Sequence, residues 1–351
     1  MLDYGPVSCR MDLDAPGKRS GWLDLTYSDN RHDFSTIPVP VGVVRGGPGP
    51  VVLVTGGNHG DEYEGQVIAR RLFERLDPAD LAGAVIVLPA LNLPAVLAGR
   101  RVSPLDGGNM NRSFPGAPDR GPTAALAGFV STHLFPRCSL AIDLHSGGTD
   151  LDFITSSYLC LSPDAAQNAR ALDLCRVLAL PWAVVAPPSH TAGDLDSAAQ
   201  ASGCAVISCE LGGSGRVSQK ALAQGWVGVL RLLAAEGALH PDAAARLGVT
   251  KAEPTRFADL GAGAAMATVM HHGLAEPLVR LGEEVAAGQT IALLRDPFDL
   301  SAPAREIAAP AAGLVLVRRR NALVAPGDHL ILTGPEIAAD TVLRAADPRA
   351  A

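Results

Sequence analysis

Pro50-Val51-Val52-Leu53-Val54-Thr55-Gly56-Gly57-Asn58-His59-Gly60-Asp61-Glu62 is the stretch that decides the fold. Val51 to Val54 is a short unbroken apolar run, with proline before it and paired glycines beyond Thr55. Runs of this kind are buried on both faces, as in the parallel strands of an α/β sheet. The pattern repeats outward from here. Residues 64 to 75 place Val67, Ile68, Leu72 and Phe73 at helical spacing. Val85-Ile86-Val87-Leu88 reads as a second buried strand, Leu140-Ala141-Ile142-Asp143-Leu144 as a third and Ala205-Val206-Ile207-Ser208 as a later one. Helices are expected over 123 to 135 and 219 to 236, the latter with Leu222, Trp226, Leu230 and Leu233 on one face. Upstream, residues 20 to 46 alternate as strands around a polar turn at Ser28 to Asp33. Pro38 and Pro40 predict an edge position there. The fold class expected is α/β, with a mixed, mostly parallel sheet and helices on both faces.

From about residue 255 the helical periods stop. Short strand-like runs alternate with glycine and proline turns, as in Gln289-Thr290-Ile291-Ala292-Leu293-Leu294 and His329-Leu330-Ile331-Leu332. This predicts a catalytic domain over 1–250 and a smaller all-β domain over 251–351. Val-x-x-Gly turns near Val279 to Gln289 and Val324 to Asp328 hint at two similar halves, as in a lipoyl-like barrel sandwich. A carrier domain of that kind needs a lysine at its hairpin tip. The tip here is Arg295-Asp296-Pro297-Phe298, which excludes a carrier role.

The chain has 351 residues, 48% of them apolar and only 4% aromatic, so a large core is built from small side chains. A formal charge of −7 with interspersed signs, and no basic stripe, argues against nucleic acid as a partner. Arg318-Arg319-Arg320 is the one basic run, and it reads as a solvated strand end. No apolar run is long enough for a bilayer. The polar start from Met1 to Lys18 has no signal-peptide pattern. Six cysteines without a CxxC pair fit buried thiols in a reducing cytosol. The expected location is therefore cytoplasmic. The expected partners are a small-molecule substrate and, at most, further copies of the chain.

Three segments put ligand-type residues directly behind buried strands, where α/β sheets gather their sites. In Gly56 to Glu62, His59 and Glu62 are three apart and can converge on one metal ion. Asp143-Leu144-His145-Ser146-Gly147-Gly148 adds a second histidine, with Asp143 placed to orient it. A lone loop histidine is ordinary; two, each at a strand end and flanked by glycine, are not. Two His and one Glu form a ligand set of catalytic zinc, with a position left open. Cys209-Glu210-Leu211-Gly212-Gly213 supplies a carboxylate, Glu210, that could take a proton from the attacking water and pass it to a leaving amine. Between them, Arg101 to Gly116 is a Gly- and Pro-rich loop carrying Arg101, Arg112 and two asparagines. One arginine could grip a carboxylate and another could polarise a carbonyl.

Gly57 to Glu62, Asn111-Arg112-Ser113-Phe114-Pro115-Gly116, Asp143 to Gly147 and Glu210 to Gly213, in this order and spacing, resemble the succinylglutamate desuccinylase/aspartoacylase family. That family is related to the zinc carboxypeptidases. The likeness runs from about Gly21 to about Gly334. It implies one zinc ion held by His59, Glu62 and His145, with Glu210 as general base and acid. It implies that Arg112 with Asn111 grips the substrate carboxylate and that Arg101 polarises the scissile carbonyl, although Arg100 is adjacent. It further implies that the C-terminal β-domain restricts access. Thr55 to Gly65, Arg101 to Asp106 and His145 to Phe153 are most similar to the branch that deacetylates N-acetyl-diaminobutyrate in ectoine breakdown. A cationic side chain of that kind calls for a carboxylate, and Asp150, Asp152, Asp194 and Asp196 all sit on candidate loops. Succinyl or aspartyl substrates would instead need a second cation, for which Arg216 is the candidate. The rival readings are action on N-acyl diacids, a carboxypeptidase on short peptides, and a non-catalytic binding protein on the same scaffold. The presence of all four of His59, Glu62, His145 and Glu210 disfavours the last.

Overall fold

The structure, a computed structural model, describes residues 1–30, 32–187 and 193–345. Arg31 of the polar turn and residues 346–351, the end of the expected second domain, lie outside the described residues. The strands in the first part are β1 (Leu2–Tyr4), β2 (Val7–Cys9), β3 (Gly17–Asp29), β4 (His32–Arg45), β5 (Val51–Gly56), β6 (Ala84–Leu88) and β7 (Leu140–His145). They are followed by β8 (Leu151–Phe153), β9 (Ser156–Cys160), β10 (Trp182–Ala186), β11 (Ala205–Glu210) and β12 (Arg256–Asp259). The C-terminal strands are β13 (Ala265–Thr268), β14 (Gly273–Pro277), β15 (Glu284–Val285), β16 (Thr290–Arg295), β17 (Arg305–Ala308), β18 (Gly313–Arg319), β19 (Leu323–Val324), β20 (His329–Gly334) and β21 (Glu336–Ile337).

Among the described residues, twelve strands make one sheet in the order β1-β2-β3-β4-β6-β5-β7-β11-β9-β10-β12-β21. Its centre is parallel: β5 runs with β6 and β7, and β7 with β11. The N-terminal margin, from β1 to the β4–β6 pair, is antiparallel. Helices α1 (Tyr63–Arg75), α2 (Leu93–Ala98), α3 (Pro122–Phe129), α4 (Ala165–Leu178), α5 (Leu195–Ala201) and α6 (Gln219–Ala235) connect the strands. Alternation along each central strand sorts its side chains between two cores. Val52, Val54, Leu140, Ile142 and Ile207 pack with residues of α1, α4 and α6. Leu53, Ile86, Ala141 and Val206 pack with residues of α3 and α5. Both faces are covered, which is why these strands read as unbroken apolar runs.

Pro38 and Pro40 lie in the part of β4 that pairs only with β3, since β6 meets β4 over Gly42–Arg45. The prolines thus mark a local edge within an otherwise internal strand. The helix expected over 123 to 135 is α-helical to Phe129, widens into a π-turn over Val130–Leu134 and closes as a 3-10 turn over Phe135–Arg137. Pro136, with no N–H to donate, stands at that transition. The polar segment before Lys18 carries β1 and β2, and Val7, Cys9 and Leu13 in it are buried. Cys9, Cys138, Cys175, Cys204 and Cys209 are free thiols, and no helix among the described residues is long and apolar enough to cross a membrane.

After β12, which extends the large sheet beside β10, the chain builds two small antiparallel sheets, β13-β20-β18-β15 and β17-β16-β14-β19. Val269, Val279, Val285, Ile291, Val315 and Val324 fill the space between them. The expected turn glycines Gly282, Gly288 and Gly327 all have positive φ, 78°, 79° and 95°. These sheets are joined to the rest of the molecule by β8, which pairs antiparallel with β18 through Val317↔Phe153 and Arg319↔Leu151.

The topology sets three strand ends side by side. Thr55 of β5 is level with Asp143 of β7, and His145 of β7 with Glu210 of β11. Helix α1 leaves β5 across a tight gap in which Gly65 allows no side chain, because a Cβ there would lie 2.2 Å from the Leu144 carbonyl oxygen.

Candidate metal centre

The turn after β5 makes the first half of the site. Gly57, at φ 69°, reverses the chain, and Gly60 N–H donates to the Arg100 carbonyl at 3.0 Å. Glu62 stands at the N-cap of α1, yet its side chain makes no cap bond. It turns inward. Its Oε1 lies 2.7 Å from His59 Nδ1 and its Oε2 lies 2.7 Å from His145 Nδ1. Ser146 N–H also donates to Oε2, at 3.2 Å. All three side chains are buried, and their donor atoms lie within 4.8 Å of one another in a cluster that could hold a metal ion.

The outer ring nitrogens are oriented as metal-ligating histidines require. His145 Nε2 meets Asp143 Oδ2 at 2.8 Å. Asp143 in turn accepts from Thr55 Oγ1 at 2.6 Å and from Asn58 Nδ2 at 2.8 Å. His59 Nε2 meets Asn109 Oδ1 at 3.1 Å. With an N–H committed to each of these oxygens, both Nδ1 atoms face Glu62 and each other. Arg101 Nη1 donates into the same space, 3.2 Å from His59 Nδ1 and 3.3 Å from Glu62 Oε1. Of the two adjacent arginines, Arg101 is thus the one whose guanidinium reaches the cluster.

Charge follows this geometry. Burial works against the Glu62 carboxylate, but the charges and hydrogen bonds of His145 and His59 prevail and hold it at about 2. Burial likewise favours a neutral His145, yet Asp143 and Glu62 outweigh it and raise the ring well above its ordinary value. Glu210 is pushed up to about 8, first by burial and then by repulsion from Glu62, against the pull of His145 and Arg101. One of its carboxylate oxygens, Oε2, is closed off from solvent without a hydrogen-bond partner.

The remaining predicted residues separate into two places. Asn111 joins the site: its Oδ1 accepts from Leu195 N–H at 2.9 Å and from Asn58 Nδ2 at 3.4 Å, which leaves its amide N–H groups as the donors available to a ligand. Arg112 is exposed, with Nη1 folded onto the Asn111 carbonyl at 2.5 Å. Asp194 and Asp196 lie on the same side. Asp194 Oδ1 caps α5 through Ser197 N–H at 2.7 Å, while its Oδ2 is shut off from solvent and unpartnered. Asp196 accepts from Ser208 Oγ at 2.6 Å, and burial pushes it up to about 7. Asp150 is instead held by Arg319 at 3.5 Å and Asn321 at 3.2 Å. Arg216 and Asp152 line a cavity whose walls include none of the clustered ligands.

Sequence reasoning gave no role to Thr55, Asn58 or Asn109, the residues that orient Asp143 and His59. Their signal was position alone: a hydroxyl or amide within the stretches already singled out. It also missed Asp61, which accepts from both N–H and Oγ1 of Thr149, at 2.8 and 3.0 Å, and so fixes the loop after His145.

Residues 48–235 match the succinylglutamate desuccinylase/aspartoacylase catalytic domain. The chain belongs to this family. That family hydrolyses the amide bond of N-acyl amino acids, and the chain is an amidohydrolase of this kind. It is 36% identical over 330 residues to N-alpha-acetyl-L-2,4-diaminobutyric acid deacetylase of Halomonas elongata, covering 93% of this chain and 94% of that protein. The product-bound ectoine utilization protein EutE (DoeB) of Ruegeria pomeroyi superposes with a TM-score of 0.89 at 33% identity, covering 95% and 100% of the two chains. A succinylglutamate desuccinylase of Silicibacter sp. TM1040 gives 0.89 at 30% identity, covering 96% and 100%.

A pH dependence of metal binding follows from His145. Without metal, its raised pKa keeps the ring cationic at neutral pH, and a ligating nitrogen must give up that proton. Binding therefore releases a proton below the raised pKa, and affinity climbs about tenfold per pH unit as pH rises. Competition titration of a divalent transition metal against a chromophoric chelator, from about pH 6 to about pH 7, should record that climb. A flat profile contradicts the ligand assignment.

Proposed function

We propose that the protein is a zinc-dependent deacetylase that hydrolyses N-α-acetyl-L-2,4-diaminobutyrate to acetate and diaminobutyrate, a reaction of ectoine breakdown. The observation that carries the zinc reading is the buried His59–Glu62–His145 cluster with Glu210 level with His145. Tetrahedral zinc, with bonds of about 2.0 to 2.1 Å, spaces its ligand atoms by roughly 3.4 Å. The Nδ1 to oxygen distances of 2.7 Å need to open by less than an ångström to reach that spacing. Zinc held there would supply Lewis-acid activation of water and of the scissile carbonyl.

The chain's own residues supply the rest. Glu210, with its raised proton affinity, takes the proton from the attacking water and delivers it to the leaving amine. Arg101, already beside Glu62, polarises the acyl carbonyl and stabilises the charge that develops on it. Asn111 and Arg112 grip the α-carboxylate; Arg112 reaches it by swinging off the Asn111 carbonyl. Asp194 meets the side-chain ammonium, since its free buried oxygen is stabilised by a cation and nearby Leu195 binds Asn111. The domain beginning at residue 251 narrows access through the β8–β18 pairing, next to the loop that follows His145. Neither nucleic acid nor membrane enters this reading.

Glu210→Gln should keep its metal and lose about 10²- to 10⁴-fold in kcat. A variant retaining more than about a tenth of wild-type kcat removes Glu210 from the proton-transfer role. The substrate is tested by kcat/KM for acetyl-diaminobutyrate, acetyl-aspartate and succinyl-glutamate, in wild type and in Asp194→Asn. Wild type should prefer acetyl-diaminobutyrate, and the variant should lose that preference. A tenfold preference of wild type for either diacid, about 1.4 kcal/mol in transition-state binding, overturns the substrate and leaves the family standing.

A further inference from the structure

Arg216 and the run Arg318-Arg319-Arg320 are far apart in sequence, yet they line one cavity of about 400 Å³. It lies where the segment after β11 meets the small β-sheets. Arg319 is neutralised by Asp328 at 3.3 Å and Asp150 at 3.5 Å. Among the described residues, the other three are not paired with carboxylates. Arg318 Nη1 reaches the Val279 carbonyl and Arg320 Nη1 the Thr149 carbonyl, each at 3.3 Å. Arg216 has no side-chain partner among the described residues. Among the described residues, the sole carboxylate in the lining is Asp152, which sits opposite Arg318 in the β8–β18 register. Three unpaired guanidinium groups therefore face one acid.

A basic run at a solvated strand end would let its side chains splay into water. Here the fold gathers them with a fourth arginine from another segment around a concave surface, part of whose wall is Ala275, Pro277 and Ile331. Concavity and low-dielectric walls concentrate the field of like charges. The guanidinium fork matches the paired oxygens of phosphate or carboxylate. We propose that this cavity binds a small anion carrying two negative charges, of the phosphate or dicarboxylate class. The anion would bridge Arg216 on the catalytic side to Arg318 and Arg320 on the β-domain side. It would relieve their mutual repulsion and tie the two parts together. None of the residues assigned above to the metal or to the substrate lines this cavity, and the proposal does not depend on the deacetylase reading.

The test is a titration of the metal-loaded full chain with inorganic phosphate and, separately, with succinate, at ionic strength held constant with potassium chloride. Melting temperature and isothermal titration calorimetry are the readouts. Wild type should show a saturable rise in Tm with at least one of the two anions; which one identifies the source. In Arg216→Gln/Arg320→Gln the affinity should fall at least tenfold while metal content stays the same. Arg216→Gln alone, a change at an exposed and unpartnered side chain, should weaken binding in the same direction and covers the case in which the double variant does not fold. No saturable rise beyond the chloride control overturns the proposal. So does equal affinity in the variants, which would put the anion on the metal or elsewhere.

Discussion

The buried Glu62 carboxylate, shared between two imidazoles, is the constraint on which the rest depends. Taking an ion out of water costs several kcal/mol even after relaxation, and the cost is offset only by close partners with good geometry. His59, His145, Ser146 N–H and Arg101 are those partners, and they come from three separate segments. The parallel register of β5 with β7, the tight crossing of α1 over Leu144 and the return of the Arg101 loop to Gly60 must all be right for the charge to be accommodated. Removing one imidazole leaves the carboxylate short of a partner, at a cost of about 3–5 kcal/mol. A metal ion in the cluster would replace protons as the positive charge that Glu62 faces.

The central sheet was legible because physics writes it plainly. Strands buried on both faces must be unbroken apolar runs, and such runs at Val51, Val85, Leu140 and Ala205 became β5, β6, β7 and β11. The clustering of His59, Glu62 and His145 was legible for a related reason: polar residues directly after a buried strand, flanked by glycine, are brought together at the strand ends. What was not legible depended on pairings between segments distant in sequence. β1 and β2 are three residues each, with too few positions to show a period. The union of β8 with β18 joins Leu151–Phe153 to Gly313–Arg319, and nothing local announces it. Which of Arg100 and Arg101 reaches the cluster depends on which guanidinium faces inward, and there Arg101 meets His59 and Glu62. The surroundings of Asp150 and Asp194 likewise depend on distant segments: Arg319 pairs with the one, while one oxygen of the other has no partner among the described residues.

The supporting shell has a consistent logic. Asp143, Asn109 and Asp61 do not join the ligand cluster, yet each holds something that does: the His145 ring, the His59 ring, and the loop that follows His145. Thr55 and Asn58 hold Asp143 in turn. Such partners fix which ring nitrogen carries the proton and so leave Nδ1 of each histidine toward Glu62. The same loop that Asp61 secures runs on into β8 and so into the small sheets. The geometry around His145 and the attachment of the small sheets are therefore set by one stretch of backbone.

X-ray absorption of the zinc-loaded protein tests the central claim most directly, because it reports the atoms around the metal independently of turnover. The account predicts one zinc per chain with a shell of nitrogen and oxygen at about 2.0–2.2 Å, including the outer-shell scattering of two imidazole rings. A shell containing sulfur at about 2.3 Å, drawn from any of the cysteines, or one lacking imidazole, contradicts it.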